Sequence, residues 1–348
     1  MKRSRLTAAV AAVAVLALAA VGCTTKNEAP ATSGAPQTSG ASSAGGDITV
    51  AFVPKLQGAP YFEAMDTGAK QAATDLGITW VMQGPTTADA AAQADIVRSF
   101  IQQKVDALVI APNDPDSMAP LIQEAADAGI KVFTSDTDAE SSVREVFVNQ
   151  ATAEGIGKQI VDTLAAAMGE KGKLAIVSCG ETAANLNSWI EVEREYVASD
   201  YPDMEIVDVV YSGEDQAKGT QMATDLLNAH PDLTGLIGQC TTSAVAVAQA
   251  VRDADKIGTV FTVGLGTPMS MAPYLKDGSS SGSILWDVEA LGYLTAWAGA
   301  QLVEGNAFEA TNAVNDDLTA IEYSEAEKML LLGPAFVFTA DNVDGYNY

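Results

Sequence analysis

Histidine is almost missing from this chain. His230, set before Pro231 at an expected helix end, is the only one among 348 residues. Histidine-dependent triads and His-ligated metal sites therefore lack parts. No glycine-rich loop of the phosphate-cradling kind follows an expected strand either. Positive charge is scarce: 19 Lys and Arg stand against 45 Asp and Glu, for a formal net charge of −26. So acidic a balance argues against nucleic acid and against electrostatic adhesion to anionic lipid. These absences weaken most enzyme readings, and the sequence offers no sign of a cofactor or metal site.

A full membrane span is also lacking. The apolar run Leu6 to Val21 is too short for a comfortable crossing and follows Lys2, Arg3 and Arg5, so it reads as a targeting segment. Ala19-Ala20-Val21-Gly22-Cys23 then reads as a lipobox, with the Cys23 thiol taking the lipid and Ala20 standing where Leu is more usual. The expectation is an exported protein anchored to the cell membrane through that lipid alone. Loss of the three basic residues with the 1–23 segment takes the charge from −26 to −29. Residues 24–46 are almost all Thr, Ser, Ala, Gly and Pro and cannot bury enough apolar surface to order themselves. They predict a flexible linker reaching roughly 25 to 30 Å.

The body, 47–348, exceeds one ordinary core and suits two lobes of about 150 residues each. Strand-like segments fall at 48–54, 78–82, 106–111, 130–135 and 145–149, then at 173–178, 205–211, 234–239, 259–264 and 282–286. Helical patterns occupy 89–104, 151–168, 183–200, 215–229, 242–254 and 288–303. Two successive series of alternating strand and helix predict an α/β fold with two doubly wound parallel-sheet lobes. The stretch Asp47 to Ala73 shows the unit most clearly. Ile48, Val50, Phe52 and Val53 suit a strand buried on both faces, Pro54 ends it, and Pro60 can open a helix. Lys55, Gln57, Tyr61 and Phe62 then lie at the carboxyl edge of a parallel sheet, where open α/β sheets bind ligands.

Several of these segments carry a family resemblance. Val53-Pro54-Lys55, with Gly58 and Tyr61-Phe62 after it, resembles the opening of the type I periplasmic sugar-binding proteins, the soluble receptors of ABC importers. It is most similar to their rhamnose- and autoinducer-2-binding branch. Thr182-Ala183-Ala184-Asn185, then Asn187 and Trp189-Ile190, resembles the rhamnose-receptor pattern at the same place. The autoinducer-2 receptors carry Asp-Gln where this chain has Asn185-Leu186, which counts against that ligand. Gly264-Leu265-Gly266-Thr267-Pro268, Leu285-Trp286-Asp287 and the closing Leu332–Phe338 segment extend the likeness over essentially all of 47–348.

The resemblance implies a multi-stranded hinge and an exchange of elements between lobes. Lobe 1 would comprise 47–149 plus about 287–312, and lobe 2 150–286 plus about 313–348. It also implies roles for residues at the strand ends. Tyr61 and Phe62 would stack on a sugar ring, and Asp136 would accept from its hydroxyls. Asn185 and Asn187 can donate and accept at once, although an Asn there can equally cap a helix. Thr241 could donate to a hydroxyl or cap the next helix. Trp286 could face the ligand or fill the core, with Asp287 beside it as an acceptor. Lys55 would stand as the one cation of the site, facing Asp136 and Asp287, a balance that favours an uncharged ligand. Arg98, Arg144, Arg194 and Arg252 all fall off the expected ligand edge.

Cys179 and Cys240 lie just beyond strands expected to be neighbours, so a disulfide is within reach if the registers agree. Two free thiols are the alternative. The sequence thus predicts a monomeric, lipid-anchored solute receptor that captures a small neutral, rhamnose-like sugar and delivers it to an ABC permease. The second reading is a receptor that reports sugar or autoinducer-2 to a membrane signalling protein.

Overall fold

The computed structural model describes residues 48–348. The expected targeting segment, Cys23 and the linker lie outside them. The chain first builds β1 (Thr49–Val53), α1 (Pro60–Leu76), β2 (Thr79–Met82), α2 (Ala90–Gln103), β3 (Ala107–Ile110), α3 (Pro115–Asp127), β4 (Lys131–Ser135) and β5 (Phe147–Asn149). It then crosses to α4 (Ala153–Met168), β6 (Gly172–Ser178), α5 (Ala184–Asp200), β7 (Met204–Tyr211) and α6 (Gln216–Ala229). β8 (Leu233–Gly238), α7 (Thr241–Asp253), β9 (Phe261–Gly264), α8 (Pro268–Asp277) and β10 (Gly282–Leu285) complete that series. A return crossing gives α9 (Val288–Glu304), β11 (Thr311–Asn312), β12 (Ile321–Ser324) and β13 (Met329–Leu331), and a third gives β14 (Phe336–Phe338).

The strands form two sheets, β2-β1-β3-β4-β5-β13-β12-β11 and β7-β6-β8-β9-β10-β14. Each begins with five parallel strands in the same order, second, first, third, fourth, fifth. In that order the winding reverses beside the first strand, so the carboxyl ends there open into a crevice. Side-chain period explains why both faces are covered. Val50 and Phe52 of β1 pack into one apolar cluster while Ala51 and Val53 pack into another. β6 divides likewise, Leu174 and Ile176 to one side and Ala175 and Val177 to the other. A strand whose two faces are both apolar needs helices on both.

Helix α9 returns to the first lobe, as the sequence predicts, because α1 is shaped to receive it. A Cβ at Gly68 would overlap the Glu289 carbonyl, and one at Gly292 would overlap the Met65 carbonyl. The two backbones can therefore approach at a crossing that only glycine permits.

The tail departs from the expected division. The resemblance implies a second lobe that takes in about 313–348, yet β12 pairs with β13 and β13 runs parallel to β5, so 311–331 extend the first sheet. Only β14 joins the second sheet, antiparallel to β10. Arg144 helps hold that extension. It forks onto Asp138 at 2.7 and 2.6 Å and donates to the carbonyls of Glu327 and Lys328. A buried guanidinium with five donors needs such acceptors, and the β12–β13 turn supplies two of them. Sequence periodicity carries no trace of this contact, which spans more than 180 positions.

Candidate functional site

The carboxyl ends of both sheets line one shared cavity. Its first-lobe wall begins with Lys55, placed where Pro54 ends β1. A buried amide fixes this loop: Gln93 donates to the carbonyls of Pro54 and Ala111 and accepts from the Asn113 N–H. Asn113 in turn donates to the Lys55 carbonyl at 3.0 Å. Lys55, 4% exposed, reaches Asp136 beyond β4 with its Nζ 3.0 Å from Oδ2. Asp136 holds a left-handed backbone, φ 65°, which an L-residue adopts only when its surroundings impose it. Here its carbonyl accepts from Gln150 and Asn185, and Thr137 donates to its carboxylate.

Asn185 joins the lobes. From the start of α5 its Oδ1 accepts from Lys55 Nζ at 3.0 Å, while its amide NH2 donates to the Asp136 carbonyl at 3.3 Å. Thr182 adds a second direct link, donating to the Asn113 carbonyl at 2.9 Å. The cleft is therefore closed by protein contacts as well as shaped for a ligand.

An aromatic wall runs across the same cleft. Tyr61 sits edge-on to Phe62 and to Trp286, with ring centroids 5.1 and 5.9 Å apart, and Trp286 meets Trp189 at 6.0 Å. All four line the cavity. Burial and then the Asp136 carboxylate push the Tyr61 phenol well above its ordinary pKa, so it keeps its proton. Tyr61 Oη, Trp286 Nε1 and Gln239 Oε1 are buried without a hydrogen-bond partner among the described residues. Buried polar atoms are rarely left so, and these three belong to residues that line one cavity. Gln239 is held from behind: its NH2 donates to Glu193 at 2.6 Å. Glu193 is fully buried and its pKa is pushed up to about 8, so at neutral pH the carboxyl is mostly protonated.

The structure brings together Lys55, Tyr61, Phe62, Asp136, Asn185, Thr241 and Trp286 on one cavity. Thr241 is there, but its hydroxyl donates to the Leu265 carbonyl at 3.2 Å. Two expected members are elsewhere. Asn187 donates to the Glu181 carbonyl and stays off the lining, for residues two apart on a helix do not share a face. Asp287 is exposed, accepts from the Ala290 N–H as the N-cap of α9, and faces an outer groove. Chain direction explains the miss: the residue after Trp286 already turns out of the cleft to start a helix.

Cys179 and Cys240 form a disulfide with Cα atoms 6.2 Å apart, across neighbouring strands β6 and β8. With Glu214 they make a tight group of sulfur and oxygen atoms, but bonded cysteines leave no thiolate for a metal. Glu214, Gln239 and Trp189 are cavity residues that sequence reasoning did not select. Trp189 and Gln239 stood inside segments already singled out, whereas Glu214 follows β7 in a loop with no distinguishing motif. No helix among the described residues is long and apolar enough to cross a membrane.

Comparison with known proteins agrees with this geometry. Residues 50–307 match the family model described as a periplasmic binding protein domain. The D-ribose/D-allose-binding protein of Pseudomonas aeruginosa is 31% identical over 196 residues, 55% of this chain and 60% of that protein. Among solved structures, LsrB from Clostridium saccharobutylicum in complex with AI-2 superposes with a TM-score of 0.82 at 26% identity, covering 86% of this chain and all of that one. A solute-binding protein from Clostridium phytofermentas with bound L-rhamnose gives 0.81 at 28% identity, covering 86% and 98%. By name, the first and third are binding proteins, and the second is a complex with AI-2.

Proposed function

Since the chain belongs to the periplasmic binding protein family, we propose that it is an extracytoplasmic receptor that captures a small neutral sugar for an ABC importer. The observation that carries this reading is a trio of buried polar atoms without partners among the described residues, Tyr61 Oη, Trp286 Nε1 and Gln239 Oε1, on residues that line an interlobe cavity with aromatic faces. Sugars offer both apolar C–H faces and hydroxyls that donate and accept, so they satisfy such a wall completely. Lys55, Asp136 and Asn185 would hold further hydroxyls by exchanging some of their present contacts for ligand ones. A rhamnose-like deoxysugar fits best, because its methyl group suits the aromatic end. The ribose-binding relative and the AI-2-bound neighbour mark the range of small polyhydroxylated ligands that this architecture accommodates.

Lipid anchoring at Cys23 completes the proposal, with residues 24–46 as the tether. A Cys23→Ala variant should remain unprocessed or fail to fractionate with membranes as a mature lipoprotein. The site reading is tested by a thermal-shift screen of the protein against simple sugars and polyols. A closed-cleft ligand stabilises by mass action, about 2.7 kcal/mol at a hundredfold excess over Kd, so a true ligand should raise the Tm clearly above the panel. A uniform response to every sugar would reject it.

A further inference from the structure

Glu214 shares the cavity with Lys55 and Asp136. These three are its charged lining residues, one cation and two carboxyls, and the four arginines Arg98, Arg144, Arg194 and Arg252 are absent from the lining. The cation is already engaged, with Asp136 and Asn185 each 3.0 Å from Lys55 Nζ. We propose that Glu214 is the specificity-determining residue that makes this site reject anionic sugars and accept uncharged ones. The proposal rests on the neutral-sugar reading above.

The position is built. Gly213 and Glu214 both take left-handed backbone, φ 71° and 64°, a turn that directs the side chain back over the sheet edge. Thr242 donates to Glu214 Oε2 at 3.4 Å, and Cys240 Sγ lies 3.3 Å from the same oxygen. The Cys179–Cys240 disulfide fixes that sulfur, so the carboxyl rests on a covalently tied wall. Oε1 makes no hydrogen bond among the described residues. Burial raises the Glu214 pKa, Lys55 lowers it and Asp136 raises it again, so the carboxyl feels both charges. A sugar hydroxyl donating to Oε1 would relieve this carboxyl, whereas a sugar carboxylate would meet a second negative charge and find no free cation. Asp287 cannot play that part from outside the cleft, and Glu214 takes it instead.

Isothermal titration of wild type and Glu214→Gln with L-rhamnose, D-ribose and L-rhamnonate at pH 7 tests the claim. Gln keeps the shape and the Thr242 acceptor, and a circular dichroism melt checks the fold of each protein. Wild type should bind a neutral sugar and reject the acid. Glu214→Gln should lose about tenfold or more for the neutral sugar, as for a lost charge-assisted hydrogen bond, and its preference over the acid should narrow by at least as much. An unchanged preference in the variant overturns the role of Glu214 while leaving the neutral-sugar reading intact. A wild type that prefers rhamnonate, or binds none of the three, overturns both.

Discussion

The two lobes meet the same cavity with opposite chemistry. The first contributes a buried ion pair, Lys55 with Asp136, each 4% exposed. The second contributes amides, hydroxyls, a disulfide and the Glu214 carboxyl, while Glu193 behind the wall is fully buried and paired with an amide rather than a cation. Each lobe therefore solves the cost of buried polarity differently. A charge pair satisfies itself by attraction, at the risk of a large penalty when one member is lost. A neutral network avoids that risk and stays sensitive to pH, because its carboxyl is neutral only while protonated. Closure brings one kind of wall against the other, with Asn185 as the joint.

The comparison breaks most visibly at Asp136. Asp136→Ala leaves Lys55 buried and unpaired, which should cost about 3 to 5 kcal/mol of folding stability. Sugar binding should weaken further by about 1.5 to 3 kcal/mol, as for hydrogen bonds to a charged group. Urea denaturation and titration calorimetry read the two effects separately. Adding Lys55→Met should recover stability but not affinity, whereas recovery of both would remove the ion pair from the binding account.

The disulfide comes next. Thiol titration of the denatured protein without reductant should find neither Cys179 nor Cys240 free. Cys179→Ala with Cys240→Ala should cost about 2 to 4 kcal/mol, since the bond closes a 61-residue separation. Two free thiols would dismiss it.

Glu193 sharpens the contrast through pH. Its folded pKa, about 8, lies above the ordinary carboxyl value of 4.5. The folded state therefore holds a proton that the unfolded state releases, and stability falls as pH rises from about 4.5 to about 8. Glu193→Gln should flatten this slope, gaining most in Tm near pH 8 and least near pH 5. A slope unchanged by the substitution would mean that Glu193 is ionised in the fold.

The smallest effect is expected outside the cleft. Asp287→Ala removes an N-cap and should cost about 1 kcal/mol of stability with no change in sugar affinity. A drop in affinity would return Asp287 to the site.

These residues also show what was legible in the sequence. The strand and helix alternation was, because β-branched runs and helical periodicity are local, and the expected strands fall within two residues of those observed. The neighbouring of β6 and β8, and with it the reach of Cys179 to Cys240, followed from winding order. Lys55, Tyr61, Phe62, Asp136 and Asn185 were legible because a strand that stops at Pro54 or Ser135 must deliver the next side chain to the sheet edge. Glu214 was not, for its approach depends on two consecutive left-handed residues that no periodicity marks. Asp287 and Asn187 lie off the cavity because Asp287 already caps α9 outside the cleft and Asn187, two residues after Asn185 on α5, points another way. The pairing of 311–331 with the first sheet was hidden for a related reason: Arg144 and the β12–β13 turn are joined only in space.

The central claim is that this acidic, two-lobed receptor binds an uncharged sugar between a wall built on an ion pair and a wall of amides, hydroxyls and the Glu214 carboxyl. Titration calorimetry of the protein lacking its first 23 residues tests this most directly, with L-rhamnose, related neutral sugars and a sugar acid as ligands. Saturable binding of a neutral sugar at one site per chain, with no heat from the acid, is the result the account predicts. Tight binding of the acid with none for the neutral sugars would contradict it.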